Sequence, residues 1–484
     1  MVTSTRIEEM KNPSIVLYKA GHAKVQDAPV PEIVDPHDVL VRIAFVGVCG
    51  SDVHFYRHGG ISRMVDPAVG ITMGHEASGV ISAIGSSVTR VRPGDRVAIE
   101  PGQPCRFCRP CKSGSYHLCK NMRFAADPGP PATQGTLSKY YRIAEDFVYK
   151  VPESMSLEET VLVEPTSVAV HAVRLGDVRP GETVVVMGSG TIGLLVGNVA
   201  RQFGAHRVVL VDVLPRKLEF AKGFLECETF LSDREHSAEQ NAAALLEALG
   251  LEEIDTVIEC SGVSVSIETG IYVLRGGGKY VQTGMGRPKM EFPMTVMSEK
   301  ELVVRGCFRY NTGDYDLAVS MIAKGLINVK PMISSTSEFE DATGAWEKTA
   351  RGEGIKNLIR GTDWKSHKKI GAMQAAGNNI GPSLDETFAD ATNSYKHKHT
   401  VASGPNIDHA ETYRQENIKN LEKHTPTPSP ISTKVPTCTI ARREMPSIYS
   451  STLSKSLRCR QFLIPQHQQP HGATSHTPKA QKNI

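Results

Sequence analysis

The stretch Thr183–Leu195 (TVVVMGSGTIGLL) decides the fold of this chain. It opens with a continuous apolar run, Thr183–Met187, of the kind that is buried on both faces of a parallel sheet. A glycine-rich turn and a helix-like stretch, Leu194–Phe203, come next, and a second apolar run, Arg207–Val211, follows. This order of strand, glycine turn, helix and strand predicts a βαβ unit of a doubly wound α/β sheet.

Three glycines in the turn, Gly188, Gly190 and Gly193, have the spacing GxGxxG. Between a strand and a helix, the first permits a tight turn, the second lets a pyrophosphate approach the backbone, and the third lets the helix pack on the strand. The helix N-terminus adds free N–H groups and a positive dipole. Glycines kept for packing alone are the alternative, but the flanking elements favour a dinucleotide site.

An acidic residue, Asp212, ends the second apolar run, 19 residues after Gly193. A carboxylate at this place accepts hydrogen bonds from the adenosine ribose hydroxyls and repels a 2′-phosphate, so we expect NAD rather than NADP. Arg216 and Lys217 follow it and weaken this preference, because basic residues just beyond the acid tolerate a phosphate.

The sequence before residue 100 and the sequence after the glycine turn show different patterns of apolar runs. After the glycine turn, Asp255–Ile258 and Lys279–Gln282 continue the alternation of strands and helices, which indicates a doubly wound sheet. Before residue 100, short β-branched runs separated by Gly and Pro predict a compact antiparallel β unit. These runs are Val39–Val46, Gly79–Ile84 and Asp95–Ile99.

A cluster of four cysteines, Cys105, Cys108, Cys111 and Cys119, has the spacing C-x2-C-x2-C-x7-C within fifteen residues. Four thiolates at this spacing can enclose one tetrahedral zinc with no open position, which is a structural site. Four buried or free thiols are one alternative. A zinc finger for nucleic acid is another, which is disfavoured because no basic helix follows.

A second group of potential zinc ligands is dispersed along the chain. Cys49 lies in GVCGSDVHF, His75 and Glu76 lie in GHEASG, and Glu164 lies in VEPTSVAVH. Three such ligands and a water make a catalytic zinc site. Taken singly, each has a plainer interpretation: a small buried hydrophobe, a hydrogen-bonded core histidine or a carboxylate at a helix start. The spacing alone leaves both interpretations open.

Composition limits the function classes. The 484 residues carry a formal net charge of +3, and 40% are hydrophobic, as in an ordinary soluble globular protein. No apolar run is long enough for a transmembrane helix, and the first residues have no signal-peptide pattern. We therefore expect a cytoplasmic location, no membrane partner and reduced cysteines. Residues 1–362 have a net charge of −4, which gives no reason to expect nucleic acid.

The basic character belongs to residues 363–484, which carry 16 Lys+Arg against 9 Asp+Glu. This segment is rich in Pro, His, Ser and Thr and has no sustained apolar period, so we expect a disordered tail that is dispensable for activity. Ile355–Arg360 (IKNLIR) is the last run typical of a strand, and we expect it to close the folded part.

Several stretches together resemble the zinc-dependent medium-chain dehydrogenase/reductase family, and within it the polyol dehydrogenases of the sorbitol and xylitol type. The similarity covers residues 14 to about 362 and rests on the stretches CGSDVHF, GHEASGVI, GDRVAIEPG, PCRFCRPCKSGSYHLC, TLSKYYRIAEDFVYKVPE, LVEPTSVAVHAV and RGCFRY. The resemblance implies a GroES-like β-rich catalytic domain over 1–163 with a return segment over 298–362, and a Rossmann domain over 164–297. It also implies a homotetramer and the oxidation of a polyol by NAD, most simply xylitol to D-xylulose.

The resemblance also assigns roles to individual residues. Cys49, His75 and Glu76 would ligate the catalytic zinc, Glu164 would hold the water on the metal or alternate as a ligand, and the four cysteines would hold the structural zinc. Ser51 would lie beside the reacting oxygen and pass a proton outward. The substrate and cofactor contacts implied are Phe55, Glu164, Arg309 and Tyr310 for the substrate, and Gly188, Gly190, Ile192, Gly193, Asp212, Lys217 and Arg309 for NAD.

Three positions depart from the family pattern. Phe55 stands where sorbitol dehydrogenases usually have Tyr, Thr191 replaces a usual Pro in the glycine turn, and Thr166 replaces a usual Leu. These changes leave L-arabinitol 4-dehydrogenase and sorbitol dehydrogenase activities as alternatives. Outside the enzymes, a zinc-stabilised binding protein of the same fold is the other alternative.

Overall fold

Residues 11–364, the part of the chain that the computed structural model describes, contain two large sheets with opposite strand patterns. One is mostly antiparallel and the other is parallel throughout. Within this part of the chain, no helix is long and apolar enough to cross a membrane. The predicted disordered tail lies outside the described residues from residue 365 onward, as do residues 1–10.

Residues 11–162 are rich in short strands, as the β-branched runs predict. The predicted runs Val39–Val46 and Gly79–Ile84 lie within strands, and the run Asp95–Ile99 begins one residue before its strand. The strands are β1 (Asn12–Lys19), β2 (His22–Ala28), β3 (Asp38–Gly47), β4 (Ile71–Thr72), β5 (Glu76–Ile84), β6 (Arg96–Ile99), β7 (Gly102–Gln103), β8 (Arg123–Phe124), β9 (Tyr140–Ala144) and β10 (Val148–Lys150). The helices are α1 (Gly50–His58), α2 (Arg109–Lys112) and α3 (Leu157–Val161).

A Rossmann-type unit follows, in which strands and helices alternate. Its elements are α4 (Val163–Leu175), β11 (Thr183–Met187), α5 (Thr191–Gln202), β12 (Arg207–Asp212), α6 (Pro215–Phe224), β13 (Glu228–Leu231), α7 (Ala238–Leu249), β14 (Ile254–Glu259), α8 (Ser264–Val273), β15 (Leu274–Gln282), α9 (Met294–Glu299), β16 (Val303–Gly306) and α10 (Asp314–Ala323). The six strands form a parallel sheet in the order β13-β12-β11-β14-β15-β16. The predicted doubly wound fold is therefore confirmed.

The parallel sheet extends beyond residue 297, the predicted end of this unit. The strand β16 pairs in parallel with β15, so the sheet continues to Gly306. The sequence pattern did not indicate this strand because it is only four residues long and all four are exposed, with Val303 and Val304 more than 40% accessible. A short exposed strand lacks the continuous apolar run that marks a buried one.

The chain then returns to the first sheet with β17 (Ile333–Ser337), α11 (Ala342–Ala350) and β18 (Lys356–Arg360). The seven-stranded sheet has the order β10-β6-β5-β3-β18-β17, with β9 also paired to β3, and a three-stranded sheet has the order β2-β1-β4. The predicted last strand is confirmed, and it pairs antiparallel with β3. Each large sheet has its own core, because apolar side chains of β11 and β12 face helices α4 and α5, whereas β3 and β5 pack with Trp346 of α11.

Candidate active site

The pairing of β3 with β5 brings three dispersed ligand residues together. In this antiparallel pair Gly47 lies opposite Glu76, so Cys49 follows the end of one strand where His75 precedes the start of the other. One ligand atom each from Cys49, His75 and Glu76 lies within 4.8 Å of the other two. A thiolate, an imidazole and a carboxylate are all zinc ligands, and three of them leave a position open. The residues present therefore fit a catalytic zinc.

Asp52 supports this cluster, although no sequence pattern pointed to it. It lies in the first turn of α1, is 2% exposed, and accepts a hydrogen bond from the Cys49 backbone N–H at 2.9 Å. Its other oxygen lies 3.6 Å from Nδ1 of His75. Burial opposes protonation of His75, but Asp52 and Cys49 together raise its pKa well above the ordinary value. A carboxylate behind a ligating histidine fixes the ring and leaves its other nitrogen for the metal.

Glu164 lies in the first turn of α4 and is 7% exposed. Burial, followed by the charge of Glu76, raises the pKa of its carboxyl to about 7. It is not a member of the group of ligand atoms within 4.8 Å of one another. A buried carboxyl with a pKa near neutrality can hold or release a proton, which suits a group that stands beside a metal site without ligating it.

The four cysteines of the loop also come together as the spacing predicts. Their sulfur atoms lie within 4.8 Å of one another, and Sγ of Cys108 is 3.3 Å from Sγ of Cys111. Backbone N–H groups lower the pKa of Cys105, whereas burial and the neighbouring thiols raise the pKa of Cys111. Four thiols so close cannot all ionise unless a cation lies among them, so the donor set fits a closed structural zinc site.

The cysteine loop is fastened to the first sheet through a buried carboxyl. Tyr116, between the third and fourth cysteines, donates a hydrogen bond to Glu100, and Tyr149 of β10 donates another at 2.7 Å. Glu100 is 0% exposed, and burial raises its pKa to about 7. The loop also contacts the segment before α10, because the Thr312 hydroxyl donates to the Gly114 carbonyl at 2.7 Å.

The glycine turn has the geometry that a nucleotide site needs. Gly188 has φ of +98°, which favours glycine, and α5 begins directly after Gly190. A Cβ on Gly193 would lie 1.8 Å from the Gly188 carbonyl oxygen, so the helix could not pack on the turn with any larger residue. A Cβ on Gly190 would meet no atom within 4 Å, which leaves the backbone open to a ligand.

Asp212, at the end of β12, is bonded to the same turn. One carboxylate oxygen accepts from the Ser189 N–H at 2.8 Å, and the other accepts from the Leu214 N–H at 3.0 Å. Lys217 Nζ lies 3.5 Å from Asp212. Each oxygen keeps a free lone pair, so these bonds orient the carboxylate without using up its capacity for a ribose. Ile192 is half-buried in the first turn of α5.

The residues predicted to line the substrate region have different surroundings. Arg309 has φ of +57°, and its guanidinium carbon lies 3.6 Å from the ring centre of Phe124 and 4.5 Å from that of Phe308. Tyr310 is 2% exposed, and its hydroxyl has no hydrogen-bond partner among residues 11–364. Ser51 and Phe55 are half-buried on α1, the helix that follows Cys49. Their contacts with a substrate stay predictions.

Two protein families match the chain. Residues 35–153 match the alcohol dehydrogenase GroES-like domain, and residues 191–324 match the zinc-binding dehydrogenase family. Among curated relatives, a probable D-xylulose reductase A of Aspergillus terreus is 49% identical over 356 residues, which are 73% of this chain and 99% of that protein. D-xylulose reductase A of Aspergillus niger is 48% identical over 363 residues, which are 74% of this chain and 99% of that protein.

Solved structures of related enzymes share the fold. L-idonate 5-dehydrogenase of Escherichia coli superposes with a TM-score of 0.66 at 27% identity and covers 72% of this chain and 98% of that chain. Galactitol-1-phosphate dehydrogenase of Escherichia coli superposes with a TM-score of 0.65 at 28% identity and covers 72% of this chain and 100% of that chain. The predicted combination of a GroES-like part and a Rossmann part is therefore confirmed.

Proposed function

The chain belongs to the zinc-binding dehydrogenase family with a GroES-like domain, and from this premise we propose that it oxidises xylitol to D-xylulose with NAD. The observation that carries the proposal is the cluster of Cys49, His75 and Glu76 within 4.8 Å of one another. Relatives at 48–49% identity that are named D-xylulose reductases support the choice of substrate. The reverse direction, reduction of D-xylulose, uses the same site.

Each part of the site would supply one element of the reaction. Zinc at the Cys49, His75 and Glu76 cluster would act as a Lewis acid on a secondary hydroxyl of the polyol. NAD would accept the hydride from the carbon that bears this hydroxyl. Asp52 holds His75 and the Cys49 backbone in place. Glu164, with a pKa of about 7, is the group suited to take up the hydroxyl proton, with Ser51 as the alternative route outward.

The cofactor would be held by the turn between β11 and α5. Gly188, Gly190 and Gly193 keep the backbone close to the pyrophosphate, and the first turn of α5 supplies N–H groups and its dipole. Asp212 would accept from the ribose hydroxyls, and Ile192 and Lys217 would border the cofactor. This arrangement supports NAD over NADP, because a 2′-phosphate would meet the Asp212 carboxylate.

Arg309 is our candidate for binding a polyol hydroxyl. Its guanidinium contacts the rings of Phe124 and Phe308, which restrict its orientation, and the residue is half-buried. Phe55, in place of the tyrosine of sorbitol dehydrogenases, would remove one hydrogen-bond partner of a substrate hydroxyl. Tyr310 would border the same region.

A substrate panel tests the proposal. Purified chain with zinc and NAD is assayed on xylitol, sorbitol, L-arabinitol and threonine by the absorbance of NADH, and each polyol is repeated with NADP. We expect the highest kcat/KM for xylitol with NAD. A higher kcat/KM for L-arabinitol would contradict xylitol as the substrate, and a preference for NADP would overturn the role of Asp212. Mass measurement in solution tests the expected homotetramer.

A further inference from the structure

A buried lysine contacts the carboxylate of the candidate zinc ligands. Lys356 Nζ donates to both oxygens of Glu76, at 2.7 and 3.0 Å. The two side chains are 3% and 2% exposed. Neither the sequence motifs nor the family resemblance pointed to Lys356, which lies 280 residues from Glu76 along the chain.

The same ammonium group also reaches the segment that carries Cys49. Lys356 Nζ donates to the Val48 carbonyl at 3.2 Å. The pairing of β18 with β3 explains this contact. Leu358 lies opposite Gly47, and the two strands are antiparallel. Lys356, two residues before Leu358, therefore lies beside Val48 and Cys49. The Val48 N–H donates to the Asn357 carbonyl at 2.9 Å and continues the pairing.

A glycine makes room for the Glu76 side chain at this point. A Cβ on Gly47 would lie 2.1 Å from Oε2 of Glu76 and 2.8 Å from a methyl group of Val161. Any larger residue would push the carboxylate away from Lys356. The ion pair between Glu76 and Lys356 therefore requires glycine at position 47.

The segment just before the Lys356 strand is also bound to the candidate cofactor site. The Thr191 hydroxyl, in the first turn of α5, donates to the Ile355 carbonyl at 2.6 Å. Arg216 donates to the Gly352 carbonyl at 3.0 Å. Proline, the usual family residue at position 191, could not make the first bond. The position of Lys356 is thus determined by β3, by Glu76 and by the glycine turn.

We propose that Lys356 is a positioning residue that serves as the resident counter-cation of the zinc-ligand cluster and keeps Glu76 and the Cys49 segment assembled when no metal is bound. The reason is electrostatic. A carboxylate that is 2% exposed needs a cation beside it, and removal of one partner of a buried pair is strongly destabilising. With Lys356 present, the metal-free chain already has that cation. Without it, only the metal can supply one.

The inference rests on the proposed zinc site, and thermal unfolding with and without zinc tests it. The full chain is prepared as Lys356→Met, which keeps length and removes charge, and as Lys356→Arg, which keeps the charge. Each form is stripped with a chelator and then reloaded with Zn²⁺ alone. We expect the metal-free Lys356→Met form to melt about 5 °C or more below the metal-free original chain. Zinc should recover at least half of this loss, and Lys356→Arg should need no such recovery.

A second lysine in the same chain provides a matched control. Lys279 contacts both oxygens of Glu182 at 2.6 and 2.9 Å and a backbone carbonyl, that of Asp177, at 2.7 Å, and its side chain is 14% exposed. It therefore has the same kind of ion pair, and no metal-ligand cluster lies beside it among residues 11–364. Lys279→Met should lower the melting temperature equally in the stripped and the reloaded form. The cysteine loop is the same in all variants, so its own zinc dependence cancels in the comparison.

A double variant keeps the test decisive if Lys356→Met folds poorly. Lys356→Met with Glu76→Gln removes both charges, so its metal-free form should melt above that of the single variant. An equal loss for Lys356→Met with and without zinc, or no gain in the double variant, would make Lys356 an ordinary structural ion pair and overturn the inference. Zinc content measured in the same samples separates the two questions: less than two zinc ions per reloaded original chain counts against the proposed site, whatever the lysine does.

Discussion

The two metal-ligand clusters of this chain are assembled in opposite ways. The four cysteines lie within fifteen residues of sequence, in a loop around the four-residue helix α2. The cluster of Cys49, His75 and Glu76 takes its ligands from two paired strands, its supporting aspartate from α1 and its lysine from the last strand. A local cluster depends on spacing, whereas a dispersed one depends on the whole sheet. The two should therefore respond differently to the loss of a ligand.

The largest expected effect is at the dispersed cluster. Cys49→Ser removes the thiolate and with it the Lewis acid, so we expect turnover to fall by more than about 100-fold. The Cys49 side chain is half-buried at the N-terminus of α1, and serine keeps its size and its capping acceptor, so the melting temperature should change little. Steady-state kinetics and thermal unfolding measure both. A large loss of stability together with activity would show that the two clusters do not differ in this way.

The same change in the cysteine loop should have the opposite outcome. Cys108→Ser opens the closed site, and the zinc that would cross-link the loop is lost. We expect a loss of roughly 4 kcal/mol in stability, because a structural metal contributes directly to folding. Activity at low temperature should remain close to that of the original chain. Metal analysis should find one zinc fewer per chain, and an unchanged zinc content would contradict the assignment of this loop.

The stability of the chain should depend on pH through Glu100, the buried carboxyl that binds the cysteine loop to the first sheet. Burial raises the pKa of Glu100 to about 7, from 4.5, so the folded state holds a proton that the unfolded state has released. Stability from this group is therefore complete below pH 4.5 and is lost as the pH rises to about 7. The shift corresponds to about 3 kcal/mol.

Glu100→Gln cannot ionise and should not show this loss. Urea unfolding from pH 4 to pH 8 should favour the variant over the original chain by about 3 kcal/mol more at the upper end than at the lower. A difference between the two that is constant with pH would contradict the raised pKa. Tyr149→Phe, which removes one of the two hydroxyl donors, is the control for the hydrogen bonds alone.

The smallest expected effect concerns the support of His75. Asp52→Asn keeps the shape of the side chain and its acceptor oxygen for the Cys49 N–H, but removes the negative charge near His75. Loss of such a partner typically costs 10- to 100-fold in metal affinity, so zinc should pass to a competing chelator about 10-fold faster or more. Only one of the two zinc ions should be affected. Equal release of both would place Asp52 outside the catalytic cluster.

Local patterns predicted much of the fold. The runs at Val39–Val46, Thr183–Met187 and Arg207–Val211 are strands, and the glycine turn lies between strand and helix as expected. They could be identified because each buries one continuous apolar stretch or needs one special backbone angle. The strand Val303–Gly306 was missed because it is short and exposed, which leaves no such signal.

The sequence by itself determined the cysteine loop, the glycine turn and the acid at the end of β12, since each depends on residues that are close along the chain. It also identified Cys49, His75 and Glu76 as possible ligands, but their spacing did not show whether they lie close together in the fold. Only the tertiary structure decided that Gly47 lies opposite Glu76, that Asp52 lies behind His75, and that Lys356 reaches both Glu76 and Val48. The physical reason is that contacts between strands are fixed by register across the sheet, and residues separated by 280 positions share no local pattern that could reveal it.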